Sequence, residues 1–178
     1  MLKTLFIVIV GVLVLLTVGG FLLPSEYKVE RDIVIAAAPE KIHGAVADLS
    51  TWPTWTAWTE SADPTCKWTF SAPSSGVGAV MTWKGEKMGD GRLELTGSSP
   101  TEGVEYDVAF AEGQDPAQGG VRYETLADGT TKVTWFNTGD LGTNPLARYM
   151  GLFMDTMLGP DFEKGLEGLK ERVEKKEP

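Results

Sequence analysis

The sequence predicts an α+β fold in which a seven-stranded antiparallel sheet and a long C-terminal helix follow one N-terminal transmembrane helix. Three observations predict it. The chain opens with an uncharged apolar run, its middle alternates apolar and polar residues between turn signals, and its end carries apolar residues at helical spacing. The roughly 150 residues that follow the apolar run are enough for one domain with a core of its own.

The first apolar run extends from Leu5 to Leu23 without a charge. As a helix its about 19 residues would be close to 30 Å long, which spans the hydrocarbon core of a bilayer. We therefore predict that residues 1–24 are a retained single-pass anchor and that residues 25–178 form the domain. The alternative is a cleaved signal peptide, in which Val18 and Gly20 are the small residues before the cut. Its length favours the anchor, because secretory apolar cores usually run about 7 to 15 residues.

Positive charges lie near both ends of this run, with Lys3 before it and Lys28 and Arg31 after it. The two ends are nearly balanced, and they favour by a small margin the orientation with the domain outside the cytoplasm.

Composition excludes several classes of function. The net charge of -9 and the pI near 4.6 argue against a nucleic-acid partner, and no stretch concentrates lysine and arginine. Cys66 is the only cysteine and His43 the only histidine, so an intramolecular disulfide and a thiolate metal cluster are excluded. We expect no metal and no cofactor. Redox reasoning leaves the compartment open.

The domain begins with a half-buried strand, because apolar and polar residues alternate from Tyr27 to Ala36. Arg31 interrupts the inward register, and we expect its side chain to lie at an edge, reach a cavity mouth or pair with a carboxylate. Pro39 suits the first turn of a short helix that ends near Asp48.

Three tryptophans follow at intervals of three residues: Trp52, Trp55 and Trp58. They either close one end of the core or form the wall of a ligand cavity, and each buried indole N–H needs a partner.

Six more strands are predicted from alternation and from glycine-rich or Asp-Gly turns. Their sequences are CKWTF, AVMTWKG, GRLELTGS, GVEYDVAF, GVRYETLA and TKVTWFNTG. Placing the charged residues outward leaves an aromatic and aliphatic face inward. The predicted inward residues are Trp68, Phe70, Met81, Trp83, Leu93, Leu95, Tyr106, Val108, Phe110, Val121, Tyr123, Val133 and Trp135.

The last helix is predicted to start at Asn144 and Pro145 and to be kinked or broken at Gly159 and Pro160. Its apolar stripe comprises Leu146, Tyr149, Met150, Phe153 and Met157 before the break, and Phe162, Leu166, Leu169 and Val173 after it.

Several motifs resemble the START-like helix-grip (SRPBCC) superfamily, in its polyketide cyclase/dehydrase and lipid-transport branch. They are Ala38-Pro39 with Val46-Ala47-Asp48-Leu49, Trp52-Pro53-Thr54-Trp55 with Trp58, Gly76-Val77-Gly78-Ala79 before Trp83, Thr131-Lys132-Val133-Thr134-Trp135, and Asp161-Phe162-Glu163-Lys164-Gly165-Leu166. The resemblance extends from about Tyr27 to about Glu174. It implies a curved sheet wrapped around the C-terminal helix, with an apolar cavity between them. It does not by itself imply cyclase chemistry, because fold does not settle function.

The sequence shows no evident catalytic constellation. His43 has no identified nucleophile or metal partner, and no paired carboxylates are evident on the inward face. Aromatic and thioether side chains are abundant instead, and they suit a cavity for a flexible apolar ligand as well as a solid core. The predicted ligand-binding residues are Trp55, Trp58, Trp83, Leu95, Tyr106, Tyr123, Trp135, Met150, Met154 and Met157.

The leading hypothesis is a membrane-tethered domain that binds or carries a hydrophobic small molecule, lipid or polyketide-like, without covalent chemistry. A cyclase or dehydrase would use the same cavity with a polar group such as Tyr106, Tyr123 or Arg31. A protein-interaction module would instead expose the tryptophan cluster.

Overall fold

A computed structural model describes residues 2–110 and 116–175 of the chain. In chain order its elements are α1 (Leu2–Leu22), β1 (Glu26–Ile35), α2 (Pro39–Val46), a 3₁₀ helix (Leu49–Thr54), β2 (Lys67–Phe70), β3 (Val80–Gly85), β4 (Gly89–Ser99), β5 (Gly103–Ala109), β6 (Ala117–Thr125), β7 (Thr131–Asp140) and α3 (Arg148–Glu174).

The seven strands form one antiparallel sheet in the order β1-β7-β6-β5-β4-β3-β2. All seven predicted strands are confirmed, and so is the predicted antiparallel pairing. The Asp-Gly turn between β6 and β7 works as expected, because Gly129 takes a φ of 83° and the Asp128 carboxylate accepts the Thr130 backbone N–H.

The inward face of the sheet carries the predicted apolar residues, and most of them are buried in one cluster with α2 and α3. Phe110 is the exception. It follows the end of β5 and packs edge-on against Trp83, and 44% of its surface is exposed.

The second half of α3 lies against the inward face of the sheet. Phe162, Leu166, Leu169 and Val173 are buried, as the predicted stripe requires. The helix-grip prediction is therefore confirmed: a curved antiparallel sheet and a long C-terminal helix enclose one core.

The predicted break at Gly159 and Pro160 is wrong, since α3 runs without interruption from Arg148 to Glu174 with Pro160 inside it, and a kink there stays a prediction. Gly159 has a packing role instead. The Arg31 guanidinium occupies the space where a Cβ of Gly159 would lie. Arg31 Nε donates to Glu163 at 2.6 Å, and its two terminal nitrogens donate to Asp155 at 2.8 and 3.0 Å.

The first half of the predicted stripe is not part of the core. Leu146, Met150, Phe153 and Met157 are each about half exposed, and so is Leu152. Their helical spacing is as predicted, but their exposure shows that the core does not cover this face of the helix.

The N-terminal helix α1 is long and apolar enough to cross a membrane, which is also true of a signal sequence. Its C-terminal end contacts the first turns of α3. Tyr149 Oη donates to the Leu16 carbonyl at 3.0 Å, and Arg148 donates to the Leu23 carbonyl at 3.2 Å. Only three residues separate α1 from β1.

Replacing a glycine by alanine should change the stability of the domain in opposite directions in α3 and in α2. A methyl group at Gly168 would collide with the Trp55 backbone carbonyl, so Gly168→Ala should lower the free energy of unfolding by about 1 to 3 kcal/mol. Gly44 in α2 has open space around it, so Gly44→Ala should raise that free energy by roughly 0.5 to 1 kcal/mol. Urea unfolding measures both. A stabilising Gly168→Ala would show that α3 is not held this close to the 3₁₀ helix.

Candidate ligand cavity

An open cavity of about 430 Å³ lies between the sheet and α3, next to the segment that joins the 3₁₀ helix to β2. Its walls are mainly aromatic and aliphatic. The lining residues are Ala57, Trp58, Ala62, Trp68, Met81, Trp83, Lys87, Met88, Leu93, Tyr106, Val108, Phe110, Asn137, Met157, Leu158, Asp161 and Phe162.

A hydrogen-bonded network forms the inner wall of the cavity. Trp135 Nε1 donates to Tyr106 Oη at 2.9 Å, and Tyr27 Oη donates to Asn137 Oδ1 at 3.0 Å. Burial raises the pKa of Tyr106 well above its ordinary value, and the hydrogen bonds offset part of that rise. Tyr106 is therefore a neutral phenol at physiological pH.

The tryptophan cluster belongs to the core. Trp52 and Trp55 are only 1% and 3% exposed, and both pack against Trp135 with ring centroids within 5.8 Å. Trp52 Nε1 donates to the Val46 carbonyl at 2.8 Å, which satisfies its buried N–H. Trp58 is half-buried and lines the cavity. The interaction-module hypothesis needs exposed indoles, and Trp52 and Trp55 do not supply them.

Two carboxylates stabilise the rim, which is the protein surface around the cavity opening. Asp161 on α3 accepts from Trp58 Nε1 at 3.2 Å and brings one carboxylate to the cavity. Asp63 is fully buried and accepts the backbone N–H groups of Lys87 and Met88 at 2.9 and 3.1 Å. It therefore fixes the β3–β4 connection that forms one side of the opening.

The Asp63 carboxylate should make the rim sensitive to acid. Hydrogen bonds from Thr65, Met88 and Lys87 hold its pKa well below the usual 3.8. Its contribution to stability is therefore present above about pH 4 and is lost as the pH falls through the folded-state pKa. We expect Asp63→Asn to lower the melting temperature at pH 7 and to flatten its decline between about pH 4 and pH 2. An unchanged acid limb in calorimetric scans would assign that decline to other carboxylates.

Residues 26–174 match the profile of the family described as polyketide cyclase/dehydrase and lipid transport. The chain belongs to this family. Solved structures share its fold. KanY has a TM-score of 0.62 at 17% identity over 84% of this chain and 99% of its own. Truncated norcoclaurine synthase from Thalictrum flavum has a TM-score of 0.62 at 10% identity, over 85% and 96%. No curated protein matches the sequence.

A third neighbour is the di-domain ARO/CYC protein BexL, with a TM-score of 0.58 at 16% identity, covering 83% of this chain and 46% of its own. The resemblance stated from sequence motifs is thus confirmed as family membership, and these distant structures support the fold of the domain.

Four of the ten predicted ligand-binding residues line the cavity of this polyketide cyclase/dehydrase family domain. They are Trp58, Trp83, Tyr106 and Met157. Trp55, Leu95, Tyr123 and Trp135 are buried elsewhere in the core, Met154 packs partly buried against it, and Met150 is exposed. That any of the ten contacts a ligand stays a prediction.

The cavity also has walls that alternation did not indicate. Ala57, Ala62, Lys87 and Met88 lie in connections between elements. Connections carry no periodic signal, and only the family's helix-grip geometry places them at the opening. Asn137 was detectable in principle, because it is a polar residue at an inward position of β7, two residues after Trp135.

The remaining polar candidates lie away from the cavity. His43 Nε2 is 3.2 Å from Ser98 Oγ, and burial lowers the histidine's pKa, so the neutral imidazole predominates at pH 7. Its ring is near that of Tyr123, whose pKa burial raises. Hydrogen bonds to Asp155 and Glu163 hold the Arg31 side chain away from the cavity and raise the pKa of its guanidinium further. Among the described residues, no group of three histidine, cysteine or acidic side chains could hold a metal ion.

Proposed function

We propose that the protein is a membrane-anchored domain that binds or carries a hydrophobic small molecule, a lipid or a polyketide-like compound, in the cavity between the sheet and α3. The cavity carries this proposal. Its about 430 Å³ fall in the size range of small-molecule sites, and its walls are largely aromatic and aliphatic with few polar groups. Met81, Met88 and Met157 add thioethers, which adapt to flexible apolar chains.

We favour binding over chemistry because the Tyr106 phenol and the Asn137 side-chain oxygen of the inner wall each already accept a hydrogen bond. Tyr106 Oη accepts from Trp135 Nε1, and Asn137 Oδ1 accepts from Tyr27 Oη. A general acid or base must be within hydrogen-bond reach of the group it serves. The network holds the phenol in a structural role.

The anchor is part of the proposal: residues 1–24 remain attached and residues 25–178 form the domain, outside the cytoplasm. Contacts from Tyr149 and Arg148 to α1 support retention, because they give the helix a packing partner on the domain. Intact-mass analysis of the membrane fraction tests it. A mature N-terminus near Phe21 would establish the signal-peptide alternative, and protease accessibility in intact cells would report the side.

Native mass spectrometry of the full chain in mild detergent tests the binding function directly. We expect a retained non-peptide mass that denaturation releases and that organic extraction identifies as a lipid or a similarly apolar compound. The absence of such a mass, together with no saturable binding of an environment-sensitive fatty-acid probe, would contradict the proposal.

A second candidate is cyclisation or dehydration in the same cavity. The observation that favours it is the Asp161 carboxylate, which lines the cavity with the Tyr106 phenol. Asp161→Asn keeps an acceptor for Trp58 Nε1 while removing a proton-transfer group. Loss of conversion of a bound compound with unchanged affinity would favour the enzyme. Unchanged affinity with no conversion by the unmodified protein would favour the carrier.

A further inference from the structure

The exposed face of α3 changes character at Pro160. The exposed apolar residues of this first half are Leu146, just before the helix, and Met150, Leu152, Phe153 and Met157 within it. Asp155, the exposed carboxylate of this stretch, is paired with Arg31. After Pro160 the exposed residues of the described helix are all charged, beginning with Glu163 and Lys164. One helix thus has an apolar outer surface in its first half and an ionic one in its second.

The contacts with α1 fix where the apolar half lies. Tyr149 donates to the carbonyl of Leu16, six residues before the end of α1. At 1.5 Å per residue this point is about 9 Å below that end. Pro145 packs against Gly20 so closely that a methyl group there would collide with the Pro145 backbone. If α1 spans a bilayer, the first turns of α3 lie at the depth of the headgroup and acyl boundary.

Arg148 has the surroundings expected at that boundary. Its guanidinium donates to the backbone carbonyls of Phe21 and Leu23 and lies 5.9 Å from the Phe21 ring centroid. Arginine and aromatic side chains are favoured at this level, where an apolar stem lies in lipid and the charged head reaches water.

From these contacts we infer that the outer face of residues 146–157 is immersed in the bilayer interface, so that the cavity opens toward lipid. Met157 connects the two features, because it is 56% exposed on this face and also lines the cavity. The ligand would then be an amphiphile that partitions in the bilayer and enters past Met157 and Leu158 without crossing water. This entry route rests on the proposed function. The position of the helix face rests on the proposed retention of α1 as an anchor and on its contacts with α3.

Fluorescent labelling of the full chain in phosphatidylcholine vesicles tests the position. In a Cys66→Ser background, an environment-sensitive dye is attached to Phe153→Cys or to the control Lys164→Cys, which lies on the same side of α3 beyond Pro160. We expect doxyl-labelled lipid to quench the dye at 153 several-fold more than at 164, and aqueous iodide to show the reverse preference. Equal iodide quenching at both positions would overturn the inference. So would protection at 153 from both quenchers, which would indicate a second copy or a protein partner on this face.

The entry route needs a kinetic test. The double variant Leu152→Glu/Phe153→Glu alters the exposed face outside the cavity lining. We expect its equilibrium affinity for a fluorescent fatty acid in detergent to stay unchanged and its uptake of that probe from vesicles to slow roughly tenfold or more. Unchanged uptake would overturn lipid entry by this face. If the unmodified protein binds no probe in detergent, the proposed function fails, while the quenching result still decides the position of the helix.

Discussion

Val108→Phe should abolish binding of an apolar probe while leaving the domain folded. Val108 lies on β5 and lines the cavity, although only 5% of its surface is exposed. The added ring atoms would enter open space, so they would displace ligand or water and not packed side chains. We expect affinity for a fluorescent fatty acid to fall beyond measurement and the free energy of unfolding to change by less than about 1 kcal/mol.

Val121→Phe is the matched control. Val121 is fully buried on the same face of the sheet, paired with Val104 and Trp135 and absent from the cavity wall. The same increase in volume should overpack the core, at a cost of about 1 to 3 kcal/mol, with little loss of affinity. If Val108→Phe were equally destabilising and the unmodified protein bound no probe, the space would be a packing imperfection and not a binding site.

Trp135→Ala should be the most destabilising single substitution of those considered. Trp135 is fully buried and stacks on Phe162 at 4.5 Å with an interplanar angle of 4°. It also contacts the tryptophan cluster, and its loss would leave Tyr106 Oη without its donor. The cavity created inside packed core predicts a loss of about 3 to 5 kcal/mol in chemical denaturation.

The control for this substitution is Trp83→Ala. Trp83 is half-buried and lines the cavity, so its removal enlarges a space that is already open. It should cost clearly less stability and should weaken ligand binding more than it weakens the fold. Equal losses of unfolding free energy for the two variants would mean that Trp135 is not the centre of the aromatic packing.

Most of the sheet could be predicted from local pattern. Alternation is a property of each strand by itself, and Asp128-Gly129 determines its own turn, so neither requires knowledge of distant residues. The strand order needed more information. That β1 pairs with β7 follows from the family resemblance, since nothing in the sequence of either strand names its partner.

Two features of α3 were beyond a local prediction. Gly159 and Pro160 read as a break, but a glycine was needed there because the Arg31 guanidinium occupies the place of its Cβ. The apolar stripe before Gly159 was predicted to face the core. Helical periodicity shows that a face is apolar, but it does not show what covers that face. Phe153 has the spacing of a core residue but is 56% exposed, and Tyr149 lies against α1, where its hydroxyl donates to the Leu16 carbonyl.

The candidate site was predicted only in part for a related reason. Alternation identified Trp83 and Tyr106, which project from strands into the cavity. It could not separate them from Trp135, which projects from β7 to the same side but is covered completely by neighbouring rings. The difference between wall and core depends on how far α3 stands from each strand, which is a tertiary quantity.

The pairing of β1 with β7 also governs how the domain is made. These strands lie at opposite ends of the domain sequence and share ten register pairs, from Glu26 with Asp140 to Ile35 with Thr131. During synthesis β1 is the first strand to leave the ribosome, and its pairing groups stay open until β7 has emerged. Bringing together two strands so far apart in sequence costs loop-closure entropy before their contacts offset it. The pairing of β1 with β7 is therefore a late and slow step of folding. Until that step the unpaired β1 lies three residues after the hydrophobic helix α1, and the nascent protein needs it to be shielded.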